Sequence, residues 1–145
     1  MTRCILITLL SILLTADLMS QDIANHRWQN RLIMVISKGH DNEKLIGQLA
    51  ELNTCSDGLK ERKLLIYQIL PNQFKLSSSH GDGTPWQSGS SLYDQFATSD
   101  ASFEIILIGL DGGVKLRKNE PQSCEALWGV IDRMPMRQAE IRNRD

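Results

Sequence analysis

The residues of this chain with chemistry to offer are cysteines, isolated histidines and a late group of basic side chains. Of the three cysteines, Cys4 lies in an apolar N-terminal stretch, which leaves Cys55 and Cys124 as candidate redox thiols. A cysteine becomes a nucleophile when a helix N-terminus or a nearby cation lowers its pKa. His26, His40 and His80 stand alone, with no Cys-x-x-Cys or His-x-x-x-His spacing, so neither a metal site nor a cofactor is expected. A Ser-His-Asp hydrolase is unsupported because no Gly-x-Ser-x-Gly elbow occurs. Lys115 and Arg117 alternate with Val114 and Leu116, which puts the two cations on one face of a strand, with Lys118 next to them. Arg133 and Arg137 lie four apart near the end of a helical pattern. Together they form a candidate patch for a carboxylate, an anionic glycan or an acidic protein surface. Edge-strand protection and a helix dipole account for the same charges equally well.

These groups must be positioned by the elements around them. Leu32 to Ile36 is a continuous apolar run, expected for a strand covered on both faces. Ser37-Lys38-Gly39-His40-Asp41-Asn42 breaks it, and Asp41 or Asn42 can cap a helix whose stripe is Leu45, Ile46, Leu49 and Leu52. Asn53 to Gly58 ends that helix, and Leu64 to Leu70 reads as a second buried strand. Strand, helix and strand in this order predict a parallel right-handed crossover. Pro71 to Ser91, rich in Ser, Gly and Pro, reads as a long connection of a kind that is usually functional or disordered. A short helix at Ser91 to Phe96 carries Leu92 and Phe96 inward. Glu104 to Gly109 and Val114 to Lys118 form a hairpin across Asp111-Gly112-Gly113, where glycine permits a positive φ. Ser123 caps a last helix bearing Leu127, Val130, Ile131 and Met134, which stops at Pro135.

The order β-α-β-(short α)-β-β-α is the thioredoxin-like α/β arrangement, with a mixed four-stranded sheet and helices on both faces. Such a fold places a reactive thiolate at the amino end of its first helix. Here that place holds Lys38 and His40 and no cysteine, so a thiol oxidoreductase is disfavoured, and an anion site at Lys38 and His40 is a weaker reading. Nor does a proline precede the third strand at Ser102-Phe103. The same topology puts Cys55 after the first helix and Cys124 at the start of a helix running the same way, at opposite ends of the domain. A disulfide needs Cα atoms within about 7 Å, so geometry argues against a bond that an oxidising compartment would favour. Trp28 and Trp128 read as core or half-core aromatics, and Trp86 as a ring that tucks back or meets a partner.

Arg27-Trp28-Gln29-Asn30-Arg31, Gly109 to Arg117, Glu120-Pro121 and Ile131-Asp132-Arg133-Met134-Pro135-Met136-Arg137 together resemble an uncharacterised exported bacterial family, domain of unknown function 4174. Its relatives include the DUDES domains of animal sushi-repeat extracellular proteins. The resemblance implies a thioredoxin-like or peroxiredoxin-like fold and an exported location, and it brings no established catalytic residues.

Export is also expected from the chain itself. Met1-Thr2-Arg3 precedes an apolar stretch from Cys4 to Leu14, shorter than the ~20 residues of a spanning helix. Residues 1–16 read as a signal peptide cut between about 16 and 20, 17–30 as a lead-in, 31–137 as the domain and 138–145 as a tail. Removing 1–16 leaves 15 basic against 17 acidic side chains, which argues against nucleic acid as a partner. No membrane span is expected after cleavage. The location expected is the periplasm of a Gram-negative cell, or otherwise the extracellular space. The function expected is a non-catalytic binding or structural module of the envelope, with a protein, peptide or anionic ligand as partner. The alternative is a degenerate thiol-dependent oxidoreductase or peroxidase using Cys55 or Cys124.

Overall fold

The computed structural model describes residues 23–78, 83–98 and 100–144. The expected signal segment and His80 lie outside them. Strand β1 (Arg31–Ser37) is buried along its whole length and sits between a parallel neighbour, β2 (Leu64–Leu70), and an antiparallel one, β5 (Phe103–Ile108). Its alternation feeds two cores. Ile33 and Val35 face one side with Leu64, Ile66, Leu70 and Phe103, while Leu32, Met34 and Ile36 face the other with Tyr67, Ile69 and Ile106.

The crossover from β1 to β2 carries two helices, α1 (Glu43–Thr54) and α2 (Ser56–Glu61). Asn42 caps α1 by accepting from the Lys44 and Leu45 backbone N–H groups. The buried stripe is Leu45, Gln48 and Leu52. Ile46, expected in it, is 56% exposed, and Gln48 is buried instead because its amide is hydrogen-bonded to the Gln122 backbone. Gly58 in α2 lies so close to Trp128 that a Cβ there would stand 2.7 Å from the indole.

The sheet has six strands, not four, in the order β4-β3-β2-β1-β5-β6. Much of the expected long connection is itself sheet. Pro71 and Asn72 turn the chain into β3 (Gln73–Ser78), antiparallel to β2, and β4 (Gln87–Ser88) adds two residues outside it. Phe74 and Leu76 of β3 reach the second core, where α3 (Ser91–Phe96) adds Leu92. On the other flank, β6 (Val114–Lys118) pairs with β5 across the turn, in which Gly112 has φ 80°.

Helix α4 (Cys124–Ile131) is capped by Ser123 and buries Leu127 and Ile131 against the first core. Pro135 does not end a helix here. It begins one, α5 (Pro135–Arg142), at a position where its missing N–H costs nothing. Much of the expected tail is therefore helical.

Candidate functional site

The start of α1 is where this fold would hold a nucleophile. Asn42 occupies the helix N-terminus with its side-chain oxygen, and His40 turns aside. The His40 Nε2 meets the Gln73 side-chain amide at 2.8 Å, and its ring packs edge-on against Trp86 with centroids 4.9 Å apart. The Lys75 ammonium lies over the same indole, so Trp86 tucks back onto the body. Lys38 is exposed. The expected anion site is thus filled by the protein's own cap.

The cysteines correct a second expectation. Cys55 and Cys124 are joined by a disulfide, with Cα atoms 6.6 Å apart. The helices do not begin side by side, because a strap, residues 119–123, first runs down α1. Lys44 binds Glu120, Gln48 binds both the N–H and the C=O of Gln122, and Glu51 accepts from the Cys124 N–H. Contacts two strap residues apart (~6.6 Å if extended) meet α1 residues four and then three apart (~6 and ~4.5 Å), so each step along the strap reaches the next turn of the helix. The strap delivers Cys124, the first residue of α4, to the end of α1.

The basic patch is dispersed. Arg117 donates to the buried Glu104 carboxylate and to the Phe96 carbonyl. Burial alone would raise the Glu104 pKa, but the Thr98 hydroxyl and N–H, with Arg117, hold it below the ordinary carboxylate value. Lys115 lies across Gly109 and reaches Asp111 at 2.6 Å. That bond, with the Gly113 N–H, lowers the Asp111 pKa. Arg137 is only 1% exposed and cannot belong to a surface patch. It pairs with Glu61 and Asp132, because α5 offers the body charge where it has little apolar surface to bury. Arg133 is exposed.

Sequence reasoning missed the centre of this charge cluster, Arg31. It is fully buried at the first position of β1 and grips Glu140 end-on, with Nη1 to Oε2 at 3.2 Å and Nη2 to Oε1 at 3.3 Å. Nη1 also donates to the Arg62 carbonyl. Arg62 in turn forks onto Asp132 and stacks on Trp128. The signal available was an arginine opening the apolar run Leu32–Ile36.

Arg31 lines a cavity of about 180 Å³ with Leu110, Asp111, Lys115, Met134 and Met136. Residues 27–31, 109–117 and 131–137, distant in sequence, meet around this end of the sheet. Trp28 is tied to this end through its backbone. Its N–H donates to the Leu110 carbonyl, its φ is 66°, and its ring is 59% exposed rather than core. A bulky residue held in the left-handed region is strained by about 1–3 kcal/mol. With Met136, 43% exposed, it makes this end apolar and accessible. A second cleft, about 500 Å³, lies between α1, α2 and the β2–β3 ribbon, with Asn53, Ser56, Gln68 and Lys75 in its lining.

Among the described residues no group of three or more His, Cys, Asp or Glu could hold a metal, and no helix is long and apolar enough to cross a membrane. The fold is similar to that of a crystal structure of Plasmodium vivax 2-Cys peroxiredoxin in its reduced form, with a TM-score of 0.52, 12% identity and 84% of each chain covered. At that identity the likeness shows the thioredoxin-like fold alone. No curated protein matches the chain. The family model described as "Domain of unknown function (DUF4174)" matches residues 22–140, and the chain belongs to that family.

Proposed function

We propose that this protein is an exported, non-catalytic binding module of the cell envelope, built on a thioredoxin-like fold whose thiol chemistry has been given up. The observation that carries this reading is the placement of sulfur. The start of α1 has no cysteine, and Cys55 and Cys124 are bonded to each other at the helix's far end. A disulfide that ties helix to strap is a structural use of cysteine, and it supports an oxidising compartment. The ligand-facing surface is the end of the sheet around Trp28, Leu110, Met134 and Met136. Arg117 is committed to Glu104 and adds less to binding than its exposed strand position suggests.

Two measurements test the reading. Protein recovered from the envelope or medium should have lost its first 16 to 20 residues and carry no alkylatable thiol until reduced. Supplied with a dithiol reductant, it should consume neither hydrogen peroxide nor a disulfide substrate above the uncatalysed rate. Turnover that vanishes in Cys124→Ser would overturn the proposal in favour of a thiol enzyme.

A further inference from the structure

The guanidinium of Arg31 is incompletely used. It carries five N–H donors in a planar fork. The end-on pair binds Glu140, and Nη1 has a second acceptor in the Arg62 carbonyl. The remaining edge, Nε–H with the second N–H of Nη2, is the side-on fork that matches a carboxylate with two parallel hydrogen bonds. The Nε is buried and finds no acceptor among the described residues. Leaving such a donor unmet is costly, and an unmet buried donor calls for a missing group.

Resting on the binding-module reading, we infer that the cavity beside Arg31 is a site for a small apolar carboxylate, held by the side-on edge of that guanidinium. Three features set the class. The unmet fork selects a planar anion. Leu110, Met134, Pro135 and Met136 select an apolar body. The volume of about 180 Å³ corresponds to roughly six waters at ~30 Å³ each, which suits a short chain and not a peptide. Local charge agrees, since Arg31, Arg62, Arg137 and Arg144 face only Glu61, Asp132 and Glu140 within the paired cluster. Met134 and Met136 are unbranched and adaptable, so they can move aside to admit the ligand to the sealed Nε.

The test uses the mature protein labelled with 13C at its methionine methyl groups and titrated with hexanoate, then with hexanamide. Saturable shifts of the Met134 and Met136 methyls by hexanoate, with hexanamide at least roughly tenfold weaker as expected for loss of a charge-assisted fork, support the site. No saturable shift at millimolar hexanoate overturns it, as do equal responses to the two probes. Arg31→Lys should abolish the preference for the acid. If that variant fails to fold, Met136→Trp fills the cavity without touching the charge cluster and should remove binding from a folded protein. Retained hexanoate affinity in a folded Met136→Trp would overturn the site. Silence towards hexanoate from a protein without peroxide turnover removes this ligand and leaves the binding module standing, whereas thiol turnover removes the module itself.

Discussion

Single side chains here are held by partners that a sequence pattern does not reveal. Glu104 is the clearest case: a buried carboxylate that accepts from the Thr98 N–H at 2.6 Å, from the Thr98 hydroxyl and from Arg117 at 2.8 Å. Replacing it with Ala leaves the Thr98 N–H unmet and Arg117 with only the Phe96 carbonyl. Hydrogen bonds to charged groups contribute about 1.5–3 kcal/mol each. Because Arg117 can turn to water, we expect Glu104→Ala to cost about 3 kcal/mol, seen as a lower urea midpoint with an unchanged slope. Arg117→Ser should cost less, since Glu104 keeps Thr98. Equal losses in the two variants would show that the ion pair, and not the Thr98 loop contact, is what matters.

Among the elements, α5 is the unusual one, because ion pairs dock it where apolar burial would be the ordinary means. Arg137 is its buried residue, and Glu61, Asp132 and Glu140 surround it. Arg137→Ala should cost about 3–5 kcal/mol, the range for breaking a buried pair, and should expose the amides of α5 to hydrogen exchange before the rest of the fold. Acid should have a similar effect. The Arg137 hydrogen bond holds the Glu61 carboxyl below its ordinary pKa despite some burial. Burial would raise that of Asp132, but Arg62 and Arg137 lower it. Both folded values are depressed, so their stabilisation is complete above the unfolded value of about 4 and is lost as pH falls through the lowered values. We therefore expect the wild-type urea midpoint to be insensitive to these groups from pH 5 to 8 and to fall below about pH 4. The gap between wild type and Arg137→Ala should narrow over the same range, and a constant gap would show that α5 does not depend on these charges.

At the scale of the whole molecule, the disulfide joins positions 69 residues apart. In the chain-entropy account a closed loop of this length stabilises by about 4 kcal/mol. Reduction should therefore lower Tm by about 10 °C, at ~2–4 °C per kcal/mol for a chain of this size, and a smaller shift would mean that the strap's hydrogen bonds hold without it. The sheet's central strands were legible because Leu32–Ile36, Leu64–Leu70 and Glu104–Gly109 are apolar runs with little polar interruption, and a core packs on each face of the sheet they form. Strand β3 was not, because Gln73-Phe74-Lys75-Leu76 has only a brief alternation before a serine run. The disulfide was hidden for a different reason: element order gives helix direction but not how far a connection slides one helix along another. The charge cluster was hidden because residues 31, 61–62, 132–140 and 144 meet only in space. The strap has a consequence for how this protein can vary. Its contacts at Glu120, Gln122 and Cys124 engage successive turns of α1, like the teeth of a rack on a pinion. Adding one residue would put every later tooth out of mesh and strand Cys124 away from Cys55. Surface loops elsewhere can lengthen at small entropic cost, but the length of this segment is fixed by the pitch of the helix beside it.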